Sequence, residues 1–217
     1  MKACFIIFDL DGTLIDSAGD VRHAINLLLQ EHDAGPLSLA AAKGMIGEGA
    51  TALVQRAFAA CELTTGNIDQ HVRRYVELYS SEPVIHTKLY PGVQQTLRQL
   101  QDRGVTMAVC TNKPARLSKD VLERLGVAQY FSALASGDSH EFRKPDPRIL
   151  HVLLKQFGVA PAEALMVGDS EIDSATAQAA GVPFVLMTYG YRKVPVDSIA
   201  CTWAVDDFLK LLEIVEP

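Results

Sequence analysis

The chain has 217 residues, of which 48% are hydrophobic and 21% are charged, a composition typical of a globular protein. Its formal net charge of -6 argues against a nucleic-acid partner, because domains that bind nucleic acids usually carry a basic face. No apolar stretch is long enough to cross a bilayer, so no membrane partner is expected either.

The first predicted element is a buried strand at 4–8, where a short apolar run rich in β-branched and aromatic residues ends in turn-forming residues. Similar runs return later in the chain with helical patterns between them. This alternation predicts an α/β fold, a doubly wound parallel sheet with a Rossmann-like core and helices on both faces. The further strands are predicted at 106–110, 133–135, 164–167, 183–187 and 202–205.

Residues 17–86 interrupt the alternation of strands and helices. They contain helical patterns at 21–29, 52–59 and 72–79 with no strand between them. We therefore expect an inserted all-helical cap domain at 17–86 and an α/β core made of residues 1–16 and 87–217. The hinges are expected near Asp16 and at 83–91.

The four cysteines are scattered along the chain without a CxxC pair, which favours a reducing, cytoplasmic compartment. Cys4 and Cys110 lie in apolar, strand-like runs and are predicted to be small buried residues. The sequence does not specify an oligomeric state, and a monomer or a weak homodimer is expected.

Two aspartates follow the first predicted strand. Asp9 and Asp11 are two residues apart, so in extended backbone their side chains point to the same side, and Gly12 allows the chain to turn sharply. A hairpin turn at Asp11-Gly12 explains the pattern equally well. In a parallel α/β sheet, however, ligands bind at the carboxyl ends of the strands, and buried carboxylates there need a metal ion or another cation.

Three later segments place polar groups at other strand ends or in the loops that follow. Thr111 follows a strand and either binds an anion at a helix start or caps that helix. Lys144 precedes a helix and is either a site residue or an ordinary surface lysine. Asp169 follows a strand, with Asp173 one helical turn further on, although Asp169 or Ser170 could simply cap the helix. Together these segments predict one active-site rim.

These motifs resemble those of the haloacid dehalogenase-like hydrolases, a family in which they occur in the same order along nearly the whole chain. The matching residues are Asp9-Leu10-Asp11-Gly12-Thr13, Thr111, Lys144 with Pro145, and Gly168-Asp169 with Asp173. Within the family, the segments 45–57, 90–93 and 188–191 look most like phosphoglycolate phosphatases. Arg192 and the segment 136–142 depart from that pattern.

The resemblance implies Mg2+-dependent hydrolysis of a small phosphorylated metabolite, with 2-phosphoglycolate as the best candidate. Asp9 would attack phosphorus and form an aspartyl-phosphate, and Asp11 would protonate the leaving oxygen and later activate water. The phosphoryl oxygens would be bound by Thr111, by Lys144 and by the main-chain amides of Leu10 and Asn112.

The resemblance also implies a set of metal ligands. The side chains of Asp9 and Asp169 and the main-chain carbonyl of Asp11 would bind Mg2+, which prefers oxygen ligands and retains some water. Asp173 would hold either a metal-bound water or Lys144 in place.

Lys43 is the residue of the helical insertion that we expect to contact a substrate carboxylate, although a solvated helix-end lysine is an equally good explanation. A phosphonate hydrolase of the same family would use a lysine of the insertion as a Schiff base, and Lys43 is the only lysine there. A phosphomutase is a further possibility. A phospho-receiver signalling module has a similar acidic cluster but lacks a long helical insertion.

Overall fold

The structure, a computed structural model, describes residues 3–215. The strands are β1 (Phe5–Phe8), β2 (Ile15–Asp16), β3 (Lys88–Leu89), β4 (Thr106–Cys110), β5 (Ala133–Ala135), β6 (Ala164–Gly168), β7 (Phe184–Met187) and β8 (Trp203–Val205). The α-helices are α1 (Ala18–Gln30), α2 (Leu39–Met45), α3 (Ala50–Ala60), α4 (Ile68–Ser81), α5 (Val93–Asp102), α6 (Ala115–Arg124), α7 (Arg148–Phe157), α8 (Glu171–Ala180) and α9 (Leu211–Ile214). Short 3-10 helices span Ala128–Tyr130, Pro161–Glu163, Val196–Ser198 and Phe208–Lys210.

A six-stranded parallel sheet forms the centre of the fold, in the order β5-β4-β1-β6-β7-β8. The predicted α/β fold with a parallel sheet is thereby confirmed. β1 is central because Phe5 pairs with Thr106 of β4 on one side and with Ala164 of β6 on the other. The carboxyl ends of β1, β4 and β6 therefore lie side by side, which brings together the loops that follow them.

The sheet is covered on both faces because successive side chains of a strand point in opposite directions. Ile6 and Phe8 of β1 pack into a layer with α5, α6 and α9. Phe5 and Ile7 pack into the opposite layer with α7 and α8. All four side chains are fully buried, as the continuous apolar run at the start of the chain predicts for a central parallel strand.

The insertion between β2 and β3 is helical throughout, as predicted, and consists of α1 to α4. It has an apolar core of its own, to which Leu117 and Tyr191 of the rest of the chain also belong. Two features were not predicted. One is α2, and the other is a two-residue antiparallel ribbon in which Ile15 pairs with Leu89 where the chain leaves and rejoins the sheet. The division into a core and a cap domain at these boundaries stays a prediction.

The prediction that Cys4 is buried is wrong, whereas Cys110 is buried as expected. The strand begins one residue later than predicted, at Phe5, and Cys4 lies just before its amino end with its thiol donating weakly to the carbonyl of Glu163 at 3.7 Å. All four cysteines are free. Between residues 3 and 215, no helix is long and apolar enough to span a membrane.

Candidate active site

The site begins with three aspartates at the carboxyl end of the sheet. The amide of Asp9 donates to the carbonyl of Val167 at 2.9 Å, which extends the ladder between β1 and β6 and fixes the start of the loop. Asp169 follows β6, and Asp173 lies in the first turn of α8. These three carboxylates are buried, and each offers an oxygen within 4.8 Å of the other two. The structure thus brings together three of the predicted site residues.

Lys144 is buried among these carboxylates and is not a surface lysine. Its Nζ lies 2.8 Å from Oδ1 of Asp9 and 2.5 Å from Oδ1 of Asp173. Burial lowers the pKa of Lys144, but the carboxylates of Asp173 and Asp9 more than offset this effect and raise the pKa above its ordinary value. Lys144 is therefore a fixed positive charge beside Asp9.

The second oxygen of Asp173 is also occupied. It accepts from the hydroxyl of Ser170 at 2.6 Å and from the amides of Asp169 and Ser170 at 3.3 and 3.2 Å. Ser170 is the N-cap of α8, so the capping alternative is correct for Ser170 and leaves Asp169 free for the site. With both oxygens engaged, Asp173 is placed to hold Lys144 against Asp9.

The charge of this cluster favours a bound cation. If all three carboxylates are ionised, Lys144 leaves two negative charges in a buried space, which a cation or a bound proton must neutralise. Burial raises the pKa of Asp9 to about 7 in spite of the nearby Lys144. Burial and the charges of Asp173 and Asp9 raise the pKa of Asp169 well above its usual range. The donors are all oxygen atoms, which suits a hard divalent cation.

Asp169 packs so closely against Gly12 and Gly190 that a side chain at either position would collide with it. Its Oδ1 accepts from the hydroxyl of Thr13 at 2.9 Å, and its Oδ2 accepts from the amide of Tyr191. A Cβ atom on Gly12 would lie 2.4 Å from Oδ2 of Asp169, and one on Gly190 would lie 2.2 Å from it. Gly12 also has a φ of 90°, which other residues rarely adopt.

Asp11 has partners that differ from those of Asp9. Its Oδ1 accepts from the hydroxyl of Ser17 at 2.5 Å, and its two oxygens lie 3.1 and 3.3 Å from Nζ of Lys113. Lys113 also donates to the hydroxyl of Tyr79 in α4, at 3.0 Å. No pattern in the sequence singled out Tyr79. For Lys113 a signal existed, because it lies two residues after Thr111 at a strand end.

Thr111 and Asn112 complete the rim of the site at the end of β4. Thr111 is buried, and its hydroxyl does not cap α6, whose N-cap is Pro114. The side-chain amide of Asn112 donates to the carbonyl of Gly47 at 2.9 Å and to that of Lys144 at 3.0 Å. Asn112 therefore joins the helical insertion to the Lys144 loop.

Asp9 and Asp11 line two cavities. A cavity of about 470 Å³ is bounded by Asp9, Asp11 and residues 111–114 on the sheet side and by α1, α3 and α4 on the other. A smaller cavity of about 260 Å³ lies on the side of Asp169 and Tyr191. The two aspartates can thus contact a ligand in the first cavity and a cation in the second, which Asp169 also lines.

Lys43 is not part of the lining of either cavity, although it packs over Tyr191, which lines the smaller one. Its Nζ is 4.9 Å from the centroid of the Tyr191 ring, and its side chain lines neither space. The predicted contact between Lys43 and a substrate carboxylate stays a prediction.

Comparison with known proteins identifies the family of the chain. A family model described as haloacid dehalogenase-like hydrolase matches residues 6–187. A phosphoglycolate phosphatase of Rhodospirillum rubrum is 44% identical over 214 residues, which cover 95% of this chain and 88% of the relative. Another, of Agrobacterium fabrum, is 37% identical over 207 residues, which cover 94% and 89% of the two chains.

The crystal structure of a predicted phosphoglycolate phosphatase from Haemophilus somnus 129PT superposes with a TM-score of 0.94 at 34% identity, covering 99% of this chain and 98% of that one. These likenesses confirm the predicted family and the predicted class of enzyme, a phosphatase. The chain therefore belongs to the haloacid dehalogenase-like hydrolases.

Proposed function

We propose that this phosphatase hydrolyses a small phosphate monoester through an aspartyl-phosphate on Asp9 and depends on Mg2+. The observation that carries the proposal is the position of Asp9, which faces a cavity together with Asp11 and Thr111 and has Lys144 at 2.8 Å. A nucleophile, an acid and phosphate-binding groups thereby surround one space, as phosphoryl transfer requires.

Mg2+ would be held by the side chains of Asp9 and Asp169 and by the main-chain carbonyl of Asp11. When bound, it would neutralise charge on the phosphoryl group and on the buried carboxylates. We assign Asp173 a supporting position instead, because one of its oxygens binds Lys144 and the other accepts from Ser170.

In the proposed reaction, a carboxylate oxygen of Asp9 attacks phosphorus, and the bond from phosphorus to the ester oxygen breaks. The leaving oxygen takes a proton from Asp11. Asp11 then takes a proton from a water molecule that attacks the aspartyl-phosphate, which releases inorganic phosphate and restores the Asp9 carboxylate. Lys144, Thr111 and the amides of Leu10 and Asn112 would bind the phosphoryl oxygens during both steps.

We propose 2-phosphoglycolate as the substrate. The support is the likeness to phosphoglycolate phosphatases at 37–44% identity over most of the chain. The helical insertion at 17–86 would act as a cap that covers the substrate and excludes water. A phosphonate hydrolase is disfavoured because Lys43, the candidate Schiff-base lysine, does not line the cavity. The long helical insertion argues against a phospho-receiver module.

A screen of phosphorylated metabolites tests this proposal, with phosphate release measured at steady state and 2-phosphoglycolate included. We expect 2-phosphoglycolate to have the highest kcat/KM. A phosphomutase would instead return a rearranged ester without net release of phosphate.

The Asp9→Asn variant tests the nucleophile, since an amide cannot form the aspartyl-phosphate. We expect a folded protein with turnover reduced by several orders of magnitude. Activity within about tenfold of the unmodified enzyme would contradict the assignment of Asp9.

We further propose that the enzyme acts in the cytoplasm as a monomer or weak homodimer. The free state of all four cysteines is consistent with a reducing compartment. Sedimentation velocity across a range of protein concentrations tests the oligomeric state.

A further inference from the structure

Lys113 supplies the positive charge of the 470 Å³ cavity. Within residues 3–215, it is the only basic side chain that lines this space. Other cations near the site have different neighbours: the Nζ of Lys43 lies over the Tyr191 ring, and that of Lys193 lies 2.7 Å from Glu48. Lys113 is itself 7% exposed, so its ammonium is held in the cavity wall.

The hydrogen bonds of Lys113 leave capacity for a further acceptor. Its Nζ contacts the two oxygens of Asp11 at 3.1 and 3.3 Å, longer than the roughly 2.7–2.9 Å of strong charge-assisted bonds. One proton shared between those oxygens and a second on the hydroxyl of Tyr79 leave a third available, because an ammonium carries three.

The other walls of the cavity are largely apolar, with Val21, Leu53 and Leu117 among them. A carboxylate that entered such a space would lose water and gain little in return unless a cation paired with it. In the same surroundings an ion pair is stronger than in bulk water. Lys113 is thus the group that makes this cavity suitable for an anionic ligand.

Asp11 determines where that ligand would lie. In the proposed reaction Asp11 protonates the leaving oxygen, and Nζ of Lys113 is 3.1 Å from Asp11. A group attached to the leaving oxygen therefore comes close to Lys113. In 2-phosphoglycolate only one carbon separates that oxygen from the carboxylate.

We propose that Lys113 is a specificity-determining residue that pairs with a carboxylate on the leaving group, and that Tyr79 orients its ammonium. This inference rests on the proposed function, since it concerns the leaving-group side of the same site. It assigns the recognition of the carboxylate to the sheet side of the cavity rather than to Lys43 of the helical insertion.

The test compares two substrates that differ in one charge: 2-phosphoglycolate, and 2-phosphoglycolamide, in which an uncharged amide replaces the carboxylate. We expect the unmodified enzyme to favour the carboxylate. In the Lys113→Met variant, kcat/KM for 2-phosphoglycolate should fall at least about 30-fold more than kcat/KM for the amide. A loss of this size is typical when one partner of a buried charge pair is removed. Lys113→Arg keeps the charge and should retain most of the preference.

Lys119→Met is the matched control, because Lys119 is an exposed lysine of α6 and should leave the preference unchanged. Circular dichroism establishes that each variant is folded, and Lys113→Arg and Lys43→Met provide the comparison if Lys113→Met does not fold. Loss of the preference in Lys43→Met but not in the Lys113 variants would overturn the proposal.

The outcomes separate this proposal from the proposed function. An equal loss for both substrates in Lys113→Met would mean that Lys113 only positions Asp11, which overturns the inference and leaves the phosphatase assignment intact. The inference is also overturned, and the phosphatase assignment left intact, if kcat/KM of the unmodified enzyme is equal for both substrates or higher for the amide. An unmodified enzyme that hydrolyses neither ester refutes the proposed substrate, and the inference with it.

Discussion

The two aspartates that follow β1 form ion pairs with different lysines. Asp9 is paired with Lys144, which Asp173 also contacts, whereas Asp11 is paired with Lys113. A nucleophile must remain ionised, while an acid must exchange its proton. Separate partners give the two carboxylates different surroundings although they are two residues apart.

The packing around Asp169 leads to a prediction about Gly190. In the Gly190→Ala variant the new Cβ atom would lie 2.2 Å from Cβ and Oδ2 of Asp169, so one of them must move. We expect a loss of about 1–3 kcal/mol in the free energy of unfolding, measured in urea, and weaker stabilisation by Mg2+.

Gly44→Ala is the control, because a Cβ atom there has no neighbour within 4 Å and the residue lies in α2. We expect this variant to be neutral or slightly more stable, since alanine favours a helix more than glycine does. If Gly190→Ala were equally harmless, the contact with Asp169 would not constrain the site.

The attachment of the helical insertion depends on a few polar contacts at the ends of its elements. Ser17 is the N-cap of α1, but its side chain makes no capping hydrogen bond. The hydroxyl of Tyr191 caps the helix instead. It accepts from the amides of Ser17 and Ala18 at 2.8 and 3.1 Å and donates to Asp16 at 2.6 Å. A tyrosine distant in sequence thus caps the first helix of the insertion.

A second contact holds the segment that returns to the sheet. The carboxylate of Asp20 is buried in the first turn of α1 and accepts from the amides of Ile85, His86 and Thr87 and from the hydroxyl of Thr87. Hydrogen bonds therefore join the two segments that connect the insertion to the sheet, beside the β2–β3 ribbon.

We expect Tyr191→Phe to destabilise the protein by about 1–3 kcal/mol, because two buried amides and Asp16 lose their partner while the ring is retained. Tyr130→Phe is the control, as the Tyr130 ring is partly buried and its hydroxyl has no hydrogen bond among the described residues. Chemical denaturation measures both. Equal effects of the two substitutions would mean that the Tyr191 hydroxyl is not needed to cap α1.

For the protein as a whole, the acidic cluster predicts that stability depends on a bound cation. Asp9, Asp169 and Asp173 repel one another across less than 4.8 Å, and Lys144 balances only one of their charges. A cation that binds the folded state relieves this repulsion and shifts the folding equilibrium.

We expect Mg2+ to raise the temperature of thermal unfolding, with a gain of about 2.7 kcal/mol at a concentration 100 times its Kd. Asp169→Asn keeps the shape of the side chain but removes a charge and should abolish most of the shift. The readout is independent of catalysis. Full activity in excess chelator, or an unchanged melting curve with Mg2+, would contradict the metal site.

Much of the fold was predictable because it depends on local patterns. The apolar run before Asp9, the polar residues after β4 and β6, and the helical spacing in 17–86 all identified elements that the structure contains. The ribbon of Ile15 and Leu89 was not predictable, since two residues are too few to show a period. The prediction for Cys4 was wrong because strand ends are hard to place from sequence, and Cys4 lies just before the strand, where the layers that bury Phe5–Phe8 do not cover it.

The family and the polar residues that follow the strands could be identified from the sequence, because they depend on the order of the motifs and on the period of the apolar residues. Which lysine faces the cavity was decided only by the tertiary structure. The sequence pointed to Lys43, yet Lys113 lines the space and contacts Tyr79, while Lys43 lies over Tyr191. The reason is physical: the position of α2 and α4 over the sheet results from packing between distant segments, on which local periodicity carries no information.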